Sequence, residues 1–155
     1  MCRSLSLISY NVANLKSKLV FSNFFSYITD FDVIFLFETH VTSESKHLFL
    51  NYFRDFELFW DDATKTHRAG RASGGCVFAY KKNLAEYFSP KFLHFHNNVC
   101  LSVKINNDNC LLIPRYLNCN HWAADFDAFD FFINDLKTEV RGGRWSIIAY
   151  APSTF

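Results

Sequence analysis

No two cysteines stand at C-x-x-C spacing, and no cysteine–histidine set has the spacing of a zinc site. The five that are present, Cys2, Cys76, Cys100, Cys110 and Cys119, are odd in number and scattered. A zinc module and a paired disulfide framework are thereby excluded, and a reduced, intracellular protein is expected. Long apolar runs are missing too. None approaches the roughly 20 residues that cross a bilayer, and Met1-Cys2-Arg3 leads into alternating residues rather than a continuous apolar stretch, so a soluble, unprocessed chain with no membrane partner is expected. Charge of one sign is also lacking: 16 Lys and Arg stand against 15 Asp and Glu, a net charge of +1. No global field steers the protein to nucleic acid, although a local basic surface stays open. Repeats, low-complexity tracts and linkers are absent, and a chain of 155 residues then defaults to one domain.

What is present is apolar area. Half of the residues are hydrophobic and 20% are charged, which lies in the foldable range, and 19 are phenylalanine. A chain this short is not expected to cover so much aromatic surface by itself, and an uncovered patch implies a partner.

The organising stretch is Val33-Ile34-Phe35-Leu36-Phe37-Glu38-Thr39-His40, an apolar run that ends abruptly in a carboxylate. It reads as a strand buried on both faces, with Glu38 at its carboxyl end, where open α/β sheets place their ligands. Leu5 to Asn11 is a second strand-like run, ending in an amide. The segment between them, Lys16 to Thr29, places Leu19, Phe21, Phe24, Phe25 and Ile28 at roughly helical spacing. Strand, helix and strand in that order can bring Asn11 and Glu38 to one sheet edge.

Downstream, Ser43 to Phe53 is predicted as a second helix, capped by Ser43 and Glu44 and presenting Leu48, Phe49, Tyr52 and Phe53 on one face. Phe56 to Trp60 and Cys76 to Tyr80 read as strands. Between them a polar stretch carries Lys65, His67, Arg68 and Arg71 and ends in Ser73-Gly74-Gly75. Adjacent glycines beside arginines suit contact with an anion, which makes Arg71 a substrate-binding candidate; an ordinary flexible loop is the other reading. Val99 to Ile105 and Cys110 to Leu117 flank Asn106-Asn107-Asp108-Asn109 and are predicted to form an antiparallel hairpin. Ala123 to Val140 carries a helical stripe stopped by Gly142-Gly143, and Trp145 to Ala149 reads as a last strand.

Asn11, Glu38 and the Tyr116-Leu117-Asn118 segment thus each end a predicted strand. Amides and a carboxylate are the hard oxygen donors that magnesium on a phosphodiester requires, and a tyrosine hydroxyl can orient a phosphate oxygen. Each residue also has a plainer reading. Glu38 can be the first solvated residue after its strand, Tyr116 a packing residue, and His40, a base or ligand by chemistry, is expected to be an exposed loop histidine. His94 and His96 alternate on one strand face without a cysteine or carboxylate nearby, and metal binding is not expected there.

Four segments carry a resemblance: Ser9-Tyr10-Asn11-Val12, Phe37-Glu38-Thr39-His40, Gly70-Arg71-Ala72-Ser73-Gly74-Gly75-Cys76-Val77 and Pro114-Arg115-Tyr116-Leu117-Asn118-Cys119-Asn120. In order and interval the chain resembles the endonuclease/exonuclease/phosphatase superfamily, most closely the N-terminal endonuclease domain of LINE-type (non-LTR) retrotransposon polyproteins. The resemblance implies an α/β fold: part of a four-layered α/β sandwich, two facing mixed sheets with outer helices. It also implies magnesium-dependent phosphodiester hydrolysis, with manganese as the alternative ion, and a nick in DNA that primes reverse transcription. By position Glu38 would hold the metal, Asn11 would assist metal or phosphate binding, and Tyr116 and Asn118 would lie against the scissile phosphate. The nucleus is the compartment implied for such an endonuclease. A phosphatase or phospholipid diesterase of the same superfamily fits the Tyr116 to Asn120 segment less well.

The chain also departs from the pattern. Where the family presents Gly-Asp-x-Asn after the last strand, this sequence continues Tyr150-Ala151-Pro152-Ser153, and no Ser-Asp-His motif follows. Residues 1–149 are therefore expected to be the N-terminal portion of the domain, its second half incomplete, and residues 150–155 a non-homologous tail. Activity is expected to be weak or absent. The alternative function is a non-catalytic remnant that binds metal, nucleic acid or a partner chain through an exposed sheet, with self-association through that face.

Overall fold

The computed structural model describes residues 5–65, 70–92, 99–105, 108–114 and 145–150. The chain divides after Glu86 into two units. In the first, strands β1 (Leu7–Asn11), β2 (Val33–Phe37), β3 (Phe56–Asp61) and β4 (Cys76–Lys81) form a sheet in the order β1-β2-β4-β3. β1 runs parallel to β2, and β4 is antiparallel to both β2 and β3. The sheet is therefore mixed, and the carboxyl ends of β1, β2 and β3 share an edge with the amino end of β4.

β2 is built from Val, Ile, Phe and Leu, which fit a pleated surface between neighbours, and all five of its residues are buried. One face is covered by helix α1 (Ser22–Thr29), whose Phe25 and Ile28 pack with Ile34, Leu36, Phe49, Phe53, Val77 and Ala79. On the sheet, Phe35 stacks on Phe78 at 4.9 Å and Phe59 stacks on Phe78 at 5.5 Å. The core of β4, Val77 to Tyr80, is buried as completely as β2. The centre of this sheet thus leaves neither face uncovered. Phe21 is the phenylalanine with large exposure among the described residues.

The second unit carries β5 (Phe88–Phe92), β6 (Val99–Ile105), β7 (Asp108–Pro114) and β8 (Trp145–Tyr150) in that spatial order. β5, β6 and β7 are antiparallel neighbours and β8 is parallel to β7, so this sheet is mixed as well. The hairpin of β6 and β7 is as expected, with β7 starting at Asp108. β5 is an addition to the sequence reading. Its Pro90 cannot donate to a ladder, but β5 lies at the sheet edge, where a proline is tolerated.

The two early helices differ from expectation. Instead of one helix over Lys16 to Thr29, a 3-10 helix spans Leu15–Val20 and α1 begins at Ser22, with Phe21 extended at φ −102°, ψ 98° between them. The break leaves Val20 and Phe21 exposed. In place of a helix over Ser43 to Phe53 there is a 3-10 helix, Ser43–Leu48, followed by turns. Thr42, not Ser43, closes its first turn, donating its N–H to Ser45 Oγ at 3.1 Å. Phe49 and Phe53 are buried as predicted, but Leu48 and Tyr52 are exposed, because a tight turn does not keep helical spacing on one face. The predicted helix over Ala123 to Val140 lies outside the described residues. Among the described residues no helix is long and apolar enough to cross a membrane, and Cys76 and Cys110 are free thiols.

Candidate active site

The strand register sets the site. Asn11 pairs with Phe37, Phe37 with Cys76, and Cys76 with Asp61, so one row of residues crosses the shared edge of the first sheet. Glu38 comes one residue past that row. There the backbone bends sharply: Glu38 has φ +52° and His40 φ +55°, a left-handed conformation that side chains other than glycine rarely adopt.

The bend is held from both sides. From the segment after β1, Val12 N–H donates to Phe37 O at 2.9 Å, Asn14 N–H to Glu38 O at 2.8 Å and Leu15 N–H to Thr39 O at 2.9 Å. From the loop before β4, Gly75 O accepts from Thr39 N–H at 3.1 Å and Gly74 O from His40 N–H at 3.0 Å. The Gly74-Gly75 pair is thus no loose loop. Thr39 is fully buried, and its hydroxyl accepts from Val41 N–H at 3.4 Å.

Within this clamp His40 Nε2 lies 3.1 Å from Glu38 Oε2. The two side chains are only 18% and 25% exposed, respectively, which corrects the expectation of an exposed loop histidine. Nδ1 of the His40 ring is buried without a hydrogen-bond partner among the described residues. Asn11 Oδ1 accepts from Ala13 N–H at 3.0 Å, which fixes the amide at the end of β1.

The rest of the edge is acidic. Burial, with the charge of Asp62 beside it, pushes the Asp61 carboxyl up. Asp62 itself pairs with Lys46 at 2.6 Å. Burial, with Asp61 nearby, pushes the Cys76 thiol up to about 12.

Among the described residues no group of three or more His, Cys, Asp or Glu is disposed to hold a metal ion. A magnesium ion does not require one, since it keeps several waters and takes one or two carboxylate oxygens from a protein. Glu38 Oε1 has no hydrogen-bond partner among the described residues and offers such an oxygen. The donor chemistry therefore fits.

Arg71 is exposed and makes no hydrogen bond or ion pair among the described residues. Tyr116 and Asn118 lie outside the described residues, as do His94 and His96, so the structure brings together Asn11 and Glu38 alone of the predicted set. His40 is the residue that the sequence reading set aside.

A cavity of about 700 Å³ lies elsewhere, lined by Ser22, Phe25, Tyr52, Arg54, Lys81 and Lys82 among others. Lys81 pairs with Phe56 at the opposite end of β3 and β4 from Asp61 and Cys76. Its cations are already engaged: Lys81 Nζ donates to Asp30 O and Lys82 Nζ to Arg54 O, each at 2.8 Å. The cavity therefore lies toward the far end of these strands and is not part of the site.

A family model described as the Endonuclease/Exonuclease/phosphatase family matches residues 8–146. Among solved structures, an AP endonuclease, LMAP, from Leishmania major is similar with a TM-score of 0.69 at 11% identity, over 95% of this chain and 54% of that one. The 3' phosphatase NExo from Neisseria, bound to product DNA hairpin, gives 0.58 at 13% identity, over 94% and 57%. The human Nocturnin catalytic domain with bound sulfate anion gives 0.59 at 11% identity, over 95% and 63%. The chain therefore spans between half and two thirds of the length of these structures. No curated protein matches it in sequence.

Proposed function

The chain belongs to the endonuclease/exonuclease/phosphatase family, and from that membership we propose that it is the Glu38-bearing portion of a magnesium-dependent, DNA-nicking phosphodiesterase of the LINE-type retrotransposon kind. The observation that carries this reading is the placement of Asn11 and Glu38 on adjacent parallel strand ends, with Glu38 held in a left-handed bend. An intracellular site of action, the nucleus for a retrotransposon endonuclease, goes with it. A solved relative in complex with a DNA hairpin supports nucleic acid as the partner class.

In this reading Glu38 holds the cation, with manganese able to replace magnesium. Bound there, the ion supplies Lewis-acid polarisation of a phosphoryl oxygen. Asn11 directs its carbonyl to Ala13, which leaves the amide N–H donors for a phosphate oxygen. Arg71, exposed on the neighbouring loop, meets the DNA backbone. Tyr116 and Asn118 complete the phosphate contacts by family position.

Cleavage by this chain is weak, because Ala151 and Ser153 stand where the family has the acid and amide that handle the attacking water. General-base and electrostatic groups each contribute on the order of 10²–10³ in rate. The same substitutions favour the second reading, a non-catalytic remnant that binds metal, nucleic acid or a partner chain.

Plasmid nicking separates the readings: the purified chain is assayed with magnesium and with chelator, beside Glu38→Ala. Slow nicking that needs both magnesium and Glu38 is the expected outcome. Nicking that survives chelator or Glu38→Ala would overturn the site. A folded sample that binds DNA but never nicks it would leave the remnant reading.

A further inference from the structure

Glu38 has two carboxylate oxygens, and the fold occupies one. Oε2 sits 3.1 Å from His40 Nε2, while Oε1 has no hydrogen-bond partner among the described residues. A carboxylate only accepts, so the hydrogen lies on Nε2 and the imidazole donates. The other ring nitrogen is buried and unpartnered among the described residues, so the imidazole makes one hydrogen bond there, and it is to Glu38.

The backbone supports the pair specifically. Both residues stand in left-handed conformation, and the buried Thr39 between them is fixed by Gly75 O on one side and Leu15 N–H on the other. Strain at residues that are not glycine persists where the surroundings over-determine it, commonly at ligand sites.

Resting on the reading of Glu38 as the cation-holding residue, we propose that His40 is its positioning residue: it holds Oε2 so that the carboxylate presents one oxygen, Oε1, to a divalent cation. This has a consequence for ion choice. Magnesium and manganese accept single oxygens in octahedral sites, whereas calcium readily takes both oxygens of a carboxylate. An imidazole on Oε2 works against two-oxygen binding and so discriminates against calcium.

The test is manganese binding to the full chain, read from the free-ion EPR signal, with calcium as competitor. Glu38→Ala is expected to lose binding. His40→Ala is expected to bind manganese about 10–100-fold more weakly, the usual effect of removing a partner that orients a metal-binding side chain, and to shift preference toward calcium. His40→Gln places an amide N–H near the position of Nε2 and is expected to recover manganese binding to within a few-fold, while circular dichroism confirms that each variant is folded.

Unchanged affinity and ion preference in His40→Ala, with binding lost in Glu38→Ala, would overturn the role of His40 and leave Glu38 in place. Equal weakening in His40→Gln and His40→Ala would overturn it too, since a donor would then not matter. Wild-type binding by Glu38→Ala would remove the underlying site itself.

Discussion

Gly74 and Gly75 share a backbone conformation but not an environment. Their φ values are +71° and +80°, yet a Cβ on Gly74 meets nothing within 4 Å, whereas one on Gly75 comes 2.9 Å from both Ala63 N and Thr39 Oγ1. Alanine at either position incurs the left-handed cost of about 1–2 kcal/mol; at Gly75 a collision with backbone is added. In a chain of this size Gly74→Ala is expected to lower Tm by about 2–6 °C and Gly75→Ala by clearly more. Equal shifts in thermal melting would show that the Ala63 segment gives way. Glu38 and Asn11 stood out in the sequence because each ends an apolar or alternating run. The pairing of His40 did not, because the bend that carries it is held by backbone hydrogen bonds to Asn14, Leu15, Gly74 and Gly75, which are distant in sequence.

At the scale of elements, Asp32 ties three strands at the sheet edge opposite the site. Its Oδ2 accepts from the backbone N–H and hydroxyl of Ser6, each at 3.0 Å, and its Oδ1 from Lys81 Nζ at 3.3 Å. Burial alone would push this carboxyl up, but the Ser6 hydrogen bonds and Lys81 outweigh it and hold the pKa below the ordinary value. The folded state thus binds this proton less readily than the unfolded state. The stability it contributes is present above the usual carboxylate pKa and is lost as pH falls through the lowered one. Asp32→Asn is expected to destabilise the fold by about 1–2 kcal/mol at neutral pH. In urea melts at several pH values that gap should close under acid; a gap independent of pH would mean the charge is not what matters.

Asp61, pushed up by burial, has the opposite sign: its contribution worsens as pH rises. The strands were largely legible because β-branched and aromatic runs are bounded by polar residues. The helices were not. Phenylalanine spacing alone did not register the extended Phe21 or the turn closed by Thr42 and Ser45, where local hydrogen bonds decide the backbone.

For the whole molecule, the expected phenylalanine surplus does not appear as an open face on the first sheet, since β2 and the core of β4 are buried throughout. Among the described residues of the first unit the most exposed large apolar side chains are Val20 at 80%, Tyr27 at 59% and Phe21 at 58%, and Val20 and Phe21 adjoin just before α1. If the chain self-associates through the first unit, the adjoining Val20 and Phe21 are the expected contact. Sedimentation over a range of concentrations is expected to show Val20→Ser with Phe21→Ser remaining monomeric beyond the wild type; identical behaviour would exclude this pair. An α/β protein was legible from the alternation of strand-like and helix-like segments and its mixed sheets from the family resemblance, but the order of the strands was not, because it depends on which partners meet in space.

That order has a consequence in time. β4 is the last strand of the first sheet to be made, yet it lies between β2 and β3. While the chain grows, β2 has only β1 beside it and β3 has no neighbour. Their inner edges stay open until residues 76–81 emerge, the interval in which unpaired strand edges are most prone to join the wrong chain. A ribosome that stalls just short of Cys76 would therefore release an adhesive intermediate, and one that passes Lys81 a sheet able to close upon itself.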